Sequence, residues 1–366
     1  MRGGLLALTL ALSTTACAGS VEQRQPDARS QEVERLMNEA ESAFEHGDAA
    51  RARALMEQAA ATGQPDALNG YAVYVARGIG GEPDPKRAEK LVEQAAAAGS
   101  IGAKLNLALN GIDSDDLADQ RRAVALLGDL HANPPDDKGK DAVRMFAAGG
   151  LARAYLFGIA VDKDVARGVD LLEEADASAE AEPKVLYLLG RAFESGWGGR
   201  APDSVKSYLY FMRAAQKDHA PSQWKVGMRL LNLSGVERDE REAYRWVRMS
   251  GEAGYLNGEI STAVMLALGQ GVAENDAEAR TWYERAAQQK SAHALRGLGF
   301  MLLTGEGGPR DPARGLAYVQ LAADAGDENA VKGLEWSRSQ ASPDERKAAE
   351  KIAAQWLSEH GKPQTD

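Results

Sequence analysis

Residues 305–326 read Gly305-Glu-Gly-Gly-Pro-Arg-Asp-Pro-Ala-Arg-Gly-Leu-Ala-Tyr-Val-Gln-Leu-Ala-Ala-Asp-Ala-Gly326. The opening glycines tolerate the left-handed backbone of a tight turn. Asp311-Pro312 then supplies a helix cap and a first-turn proline together. An aromatic follows at Tyr318, two small residues at Ala322-Ala323, and a stop at Gly326. The stretch predicts one turn and one helix, and it recurs. Tyr210, Trp246, Trp282 and Tyr318 are each 36 residues apart, as are Gly199, Gly235, Gly271 and Gly307. Leu230, Leu266 and Leu302 keep the same spacing, as do the small pairs Ala214-Ala215, Ser250-Gly251, Ala286-Ala287 and Ala322-Ala323. Asp218, Gly254, Lys290 and Gly326 close the units.

Ahead of each turn lies a second helical pattern, as in Leu295, Leu298, Met301 and Leu302. One unit is therefore a helix, a Gly-rich turn, a capped helix and a stop. Such a pair cannot bury its apolar face alone, so units stack. The small pair lets consecutive helices approach, and the neighbouring aromatic fills the wider gap, which makes the core its expected place. Upstream the register persists with slips. Gly63 and Gly99 are 36 residues apart, residues 141–181 form another unit, and the register breaks over about 111–140, where Asn133 to Lys140 reads as a longer loop.

The order of first helix, Gly-x-Gly turn, acidic cap, aromatic and Ala-Ala-x-x-Gly resembles the Sel1-like repeats, relatives of the tetratricopeptide repeat. The clearest copies run from Gly269 through Ala287 and from Gly305 through Gly326. The resemblance covers residues 65–330 and is strongest after 183. Residues 31–64 look more tetratricopeptide-like, and residues 331–360, with the capping box Ser342-Pro-Asp-Glu345, look like a terminal cap. Residues 361–366 are expected to be a disordered tail. The resemblance implies an all-α, right-handed superhelical α-solenoid of about eight helix-pair repeats with a C-terminal capping helix.

The first sixteen residues are a targeting segment: Arg2, the apolar run Leu5 to Leu12, then small residues before Cys17. The run is far shorter than the ~18 apolar residues a membrane span requires. Cys17 is the only cysteine in the chain and resembles the lipidated cysteine of bacterial lipoproteins. Thr14 stands where such lipoproteins usually carry Leu, and Ala16-Cys17-Ala18 also reads as an ordinary cleavage site that would release a soluble periplasmic or secreted protein. Ala18 after the cysteine implies, by the same resemblance, outer-membrane sorting with the chain facing the periplasm. Residues 17–30 then form the lipid attachment and a flexible tether.

The chain has 366 residues, a net charge of −11, 44% hydrophobic residues and only 6% aromatics. That acidic balance argues against nucleic-acid binding. Gly196-Trp-Gly-Gly-Arg-Ala201 matches a loose dinucleotide motif, yet nothing before it reads as a strand, and its repetition marks it as architectural. Asp113, Asp115, Asp116 and Asp119 lack the glycine and glutamate of a calcium loop and read as an acidic helix start. The five histidines form no metal-ligand spacing. No cofactor site, metal site or nucleophile–base pair is read.

Arg191, Lys225 and Arg296 lie on outward faces of first helices and are candidates for a concave binding surface. Trp197 and Trp224 are the aromatics that a glycan-binding surface would use. By resemblance the expected role is a non-catalytic protein–protein scaffold of the cell envelope, an adaptor for an export, polysaccharide-secretion or signalling complex. A glycan- or peptidoglycan-binding solenoid is the alternative, and a hydrolase a more distant one. The Sel1-like proteins tied to β-lactams carry a cysteine pair in each repeat, which this chain lacks.

Overall fold

A computed structural model describes residues 28–135, 139–177, 181–232 and 238–365. The targeting segment, Cys17 and most of the tether lie outside these residues, as does Gly235. Among the described residues the chain is all-α, with eighteen α-helices and one isolated β-bridge. The described residues divide into two compact units, those up to 185 with 196–200, and 186–195 with those from 201 onward.

The first unit stacks four helix pairs: α1 (Ala28–Glu45) with α2 (Ala49–Ala61), α3 (Pro65–Arg77) with α4 (Pro85–Ala97), α5 (Ile101–Ile112) with α6 (Leu117–Ala132), and α7 (Lys140–Phe157) with α8 (Val165–Ala175). The unit boundary falls within α9 (Pro183–Ser195). The second unit continues with α10 (Ser204–Ala215), α11 (Ala220–Asn232), α12 (Glu240–Glu252), α13 (Leu256–Leu268), α14 (Asp276–Gln288), α15 (Ala292–Thr304) and α16 (Pro312–Asp324), then α17 (Glu328–Ser339) and α18 (Pro343–His360). This is the solenoid of helix pairs that the 36-residue period predicts.

Every second helix opens on an Asp or Asn whose side chain accepts from a first-turn amide: Asp48, Asp84, Asp116, Asp164, Asp203, Asp239, Asn275 and Asp311. Each such cap contributes about 1 kcal/mol. The amide of the capping residue also donates back to the preceding first helix, Asp84 to Val75 O at 2.9 Å, Asn275 to Leu266 O at 2.9 Å and Asp311 to Leu302 O at 2.8 Å. The turn is thus pinned at both ends. The expected capping box of Ser342 and Glu345 is formed, with Ser342 N donating to Glu345 Oε2 at 2.7 Å.

The turn glycines hold a second constraint. Gly80, Gly271 and Gly307 have φ of 68°, 73° and 70°, and each lies so close to the first residue of the preceding second helix that a Cβ would strike the carbonyl of Ala49, Glu240 or Asp276. Close approach and left-handed backbone together require glycine at these three positions, whereas Gly199 shares the left-handed backbone, at φ 77°, with nothing within 4 Å of its Cβ position.

Three expectations change. The break near 111–140 holds a complete second helix, α6, whose Ala123, Leu127 and Leu130 are buried and whose start Asp116 caps. The register slips there because α6 is 16 residues long where most second helices have 11 to 13. The aromatic ladder is half-buried apart from Trp282, which is 5% exposed. The core ladder lies one residue further along the helix, at Phe211, Val247 and Val319, because that position meets a first-helix glycine: Gly190, Gly227 and Gly299 respectively. Of the ladder rings, Trp282 lies in the core and Trp246 and Tyr318 pack against its edge, and cations cover rings of the ladder from outside, with Arg285 4.5 Å from the Trp282 ring centre and Arg213 5.5 Å from that of Tyr210. Finally, residues 361–365 of the expected disordered tail are seated. Gln364 N donates to Lys290 O at 2.8 Å and Gln364 O accepts from Ala292 N at 2.9 Å.

Candidate functional site

Equivalent positions of the first helices build a face on the second unit. The fifth position of α9, α11, α13 and α15 is Tyr187, Trp224, Ile260 and Arg296, and the ninth is Arg191, Met228, Val264 and Phe300. All eight are half-buried, so each offers part of its side chain to solvent. The fifth and ninth positions share a helix side because they are one turn apart.

The structure brings Arg191, Trp224 and Lys225 together on this face. Their common centre is Glu194, which sequence reading passed over. Lys225 Nζ sits 3.0 Å from Glu194 Oε2, Arg229 donates to Oε1 at 2.9 Å, and Arg191 Nε is 3.6 Å from Oε2. Burial alone would raise the Glu194 carboxyl, but the hydrogen bonds from Lys225 and Arg229 hold it below the ordinary carboxylate range. Three cations therefore share one anion in an acidic chain. Arg191 reaches Glu194 from three residues earlier on α9, whereas Lys225 and Arg229 reach it from α11.

Aromatic groups border this cluster. Tyr187 has its ring 5.0 Å from that of His219 and accepts from Arg191 at 3.4 Å. The Trp224 indole N–H donates to Ser261 Oγ at 3.0 Å, and its ring meets Tyr255 edge-on at 6.0 Å. Burial pushes the Tyr255 phenol up. Neither Tyr187 nor Tyr255 was singled out by the sequence, since neither belongs to the aromatic ladder.

Arg296 lies two helix pairs along the same face. It donates to Asp327, a carboxylate only 3% exposed that also caps α17 through Ala330 N at 2.8 Å. Trp197 belongs to the first unit, in the 3-10 turn Trp197–Gly199, where it is half-buried. In that turn Arg200 binds Asp170 and Glu173, each at 2.8 Å, which gives the glycine-rich segment a structural task. Trp197 and Trp224 do not form one platform within a unit, and Trp224 has committed its only donor to Ser261.

The first unit carries buried polar side chains instead. Asn106 donates to Asn69 at 3.2 Å, and Asp113 holds Arg153 and Lys184. Among the described residues no group of three or more His, Cys, Asp or Glu is placed to hold a metal ion, and no helix is long and apolar enough to cross a membrane.

The Sel1 repeat profile matches residues 44–63, 65–100, 146–175, 183–219, 220–255, 259–291 and 292–327, more than half of the chain. Among curated proteins the chain is similar to chitin synthase regulatory factor 3 of Schizosaccharomyces pombe, 26% identical over 259 residues. That match covers 69% of this chain and 27% of the relative, so the chain spans about a quarter of its length. Among solved structures it is similar to a Sel1 repeat protein from Oxalobacter formigenes, with 23% identity, a TM-score of 0.54, and coverage of 68% of this chain and 99% of the other. It is also similar to c5321, a protective antigen of uropathogenic Escherichia coli displaying an SLR fold, with 17% identity, a TM-score of 0.44, and coverage of 90% and 85%.

Proposed function

We propose that this chain, which belongs to the Sel1 repeat family, is a non-catalytic scaffold that binds protein partners through the first-helix face of its second unit. The observation that carries this reading is the convergence of Arg191, Lys225 and Arg229 on Glu194 beside Tyr187, Trp224 and Tyr255. Arginine, tyrosine and tryptophan are the side chains that most often dominate protein interfaces. A stack of repeats presents them at regular intervals on a long surface. The relative's name, a regulatory factor, is consistent with a role exerted through partners.

The reading extends to the bacterial cell envelope on the N-terminal sequence: Arg2, the apolar run Leu5 to Leu12, and the lone Cys17. In this reading Cys17 carries a lipid, residues 18–27 are the tether, shorter than expected because α1 already begins at Ala28, and the scaffold faces the periplasm from the outer membrane. It then serves as an adaptor for an export, polysaccharide-secretion or signalling complex. One acyl chain gives only weak anchoring, so the multiple acylation typical of such a cysteine is what would hold it.

Two experiments test the two parts. Radiolabelled palmitate enters the wild-type chain and not Cys17→Ser; a soluble, unlabelled wild-type chain would support the released periplasmic form instead. Affinity purification from mildly solubilised envelopes recovers a defined partner set with the wild type and loses it with the double variant Arg191→Ala, Trp224→Ala. Equal recovery by a folded double variant overturns the assignment of the face.

A further inference from the structure

We propose that the linker Lys290–Ala292 is a strand-addition site for an extended peptide, occupied by the chain's own C-terminal segment acting as a clasp. The segment is built for this. Gly361 ends α18 with φ 78° and ψ −169°, a backbone region essentially restricted to glycine. The chain therefore reverses there by specification rather than by fraying. Pro363 fixes its own φ and holds Lys362 extended.

Gln364 then lies parallel to Ser291 and makes both main-chain bonds, its N–H to Lys290 O at 2.8 Å and its carbonyl from Ala292 N at 2.9 Å. One residue on, the Thr365 methyl faces Gly326, 3.8 Å from where a Cβ would stand.

The receiving linker is equally prepared. Lys290 is left-handed at φ 65°, and Ser291 is extended at φ −72° and ψ 125°. The carbonyl before Ser291 and the amide after it consequently point to one side, as strand pairing requires. The Ser291 side chain is already used, accepting from Ala294 N at 3.1 Å, so recognition at this point is by backbone. Backbone pairing with an extended peptide is a recurrent mode of peptide capture. The clasp can leave without unfolding what precedes it, because Ala349 and Trp356 keep α18 in the core.

The test compares three full-length chains: wild type, Gln364→Ala and Gln364→Pro. Alanine keeps both main-chain bonds, whereas proline removes the donor and disturbs the pairing. Hydrogen exchange at the Ala292 amide is expected to be slow in the wild type and in Gln364→Ala, and at least about tenfold faster in Gln364→Pro. A short tether supplies an effective concentration in the millimolar range, so the synthetic peptide Gly-Lys-Pro-Gln-Thr-Asp is added at about 10 mM. It should restore slow exchange in Gln364→Pro and leave the wild type unchanged. Equal exchange in wild type and Gln364→Pro overturns the clasp, and so does loss of protection in Gln364→Ala. Failure of the peptide to slow exchange in folded Gln364→Pro overturns the docking site. None of these outcomes depends on the first-helix face.

Discussion

Gly307 sits over the carbonyl of Asp276, the first residue of α14, thirty-one residues earlier in the chain. The same pairing joins Gly271 to Glu240 and Gly80 to Ala49. The turn after one first helix is thereby locked to the second helix of the preceding pair. Arginine reinforces the contact: Arg280 donates to Pro309 O at 3.0 Å and Arg53 to Glu82 O at 3.3 Å, both 29 residues ahead.

Gly307→Ala should therefore cost about 2–4 kcal/mol, combining backbone strain with a clash against main chain. Gly254→Ala is the control: its φ is 80° but nothing lies within 4 Å, so the cost should be about 1 kcal/mol. Repeat arrays need not unfold in one step, so native-state hydrogen exchange of α14 and α15 is the appropriate measurement.

Lys290 and Asp218 take the opposite substitution. Both close a unit with a left-handed backbone, at φ 65° and 58°, where the equivalent residues are Gly254 and Gly326. Lys290→Gly and Asp218→Gly should each stabilise the protein by about 0.5–1 kcal/mol, after the entropy of the unfolded glycine is subtracted. Chemical denaturation read by circular dichroism checks this.

The helix pairs were legible because their determinants are local. Asp84-Pro85, Asp311-Pro312 and Ser342 to Glu345 are caps whose partners lie within three residues. The core position was less legible. Tyr210 and Phe211 both belong to 36-residue series, and a single step along a helix rotates by about 100°, so periodicity cannot decide which faces inward. Gly190, the residue that decides it, lies on the preceding helix. The site was legible only in half. Arg191, Lys225 and Trp224 stand out by type, but Glu194 acquires its meaning from cations 31 and 35 residues ahead, on the neighbouring pair.

Two carboxylates of the second unit should respond to pH in opposite directions. Glu259 is buried on α13, and desolvation raises it despite contacts from Gln289 at 2.9 Å and Arg285 at 3.0 Å. A raised folded-state pKa means that its stabilising contribution is present below the unfolded value and lost as pH rises through the folded one. Glu194 is lowered, so its contribution is present above the unfolded value and lost as pH falls through the folded one. Relative to the wild type, Glu259→Gln should gain stability on going from acid to neutral pH, and Glu194→Gln should lose it. Denaturation series across the carboxylate range distinguish the two; parallel shifts would contradict the assignment.

The most direct test of the central claim is site-specific photo-crosslinking in intact cells. A photoreactive residue replaces Met228, on the first-helix face, or Leu209, which is 54% exposed on a second helix. The account predicts a discrete crosslinked protein at position 228 that is absent at 209 and disappears when Arg191→Ala and Trp224→Ala are added. Equal crosslinking at both positions, or crosslinking at 209 alone, would contradict it.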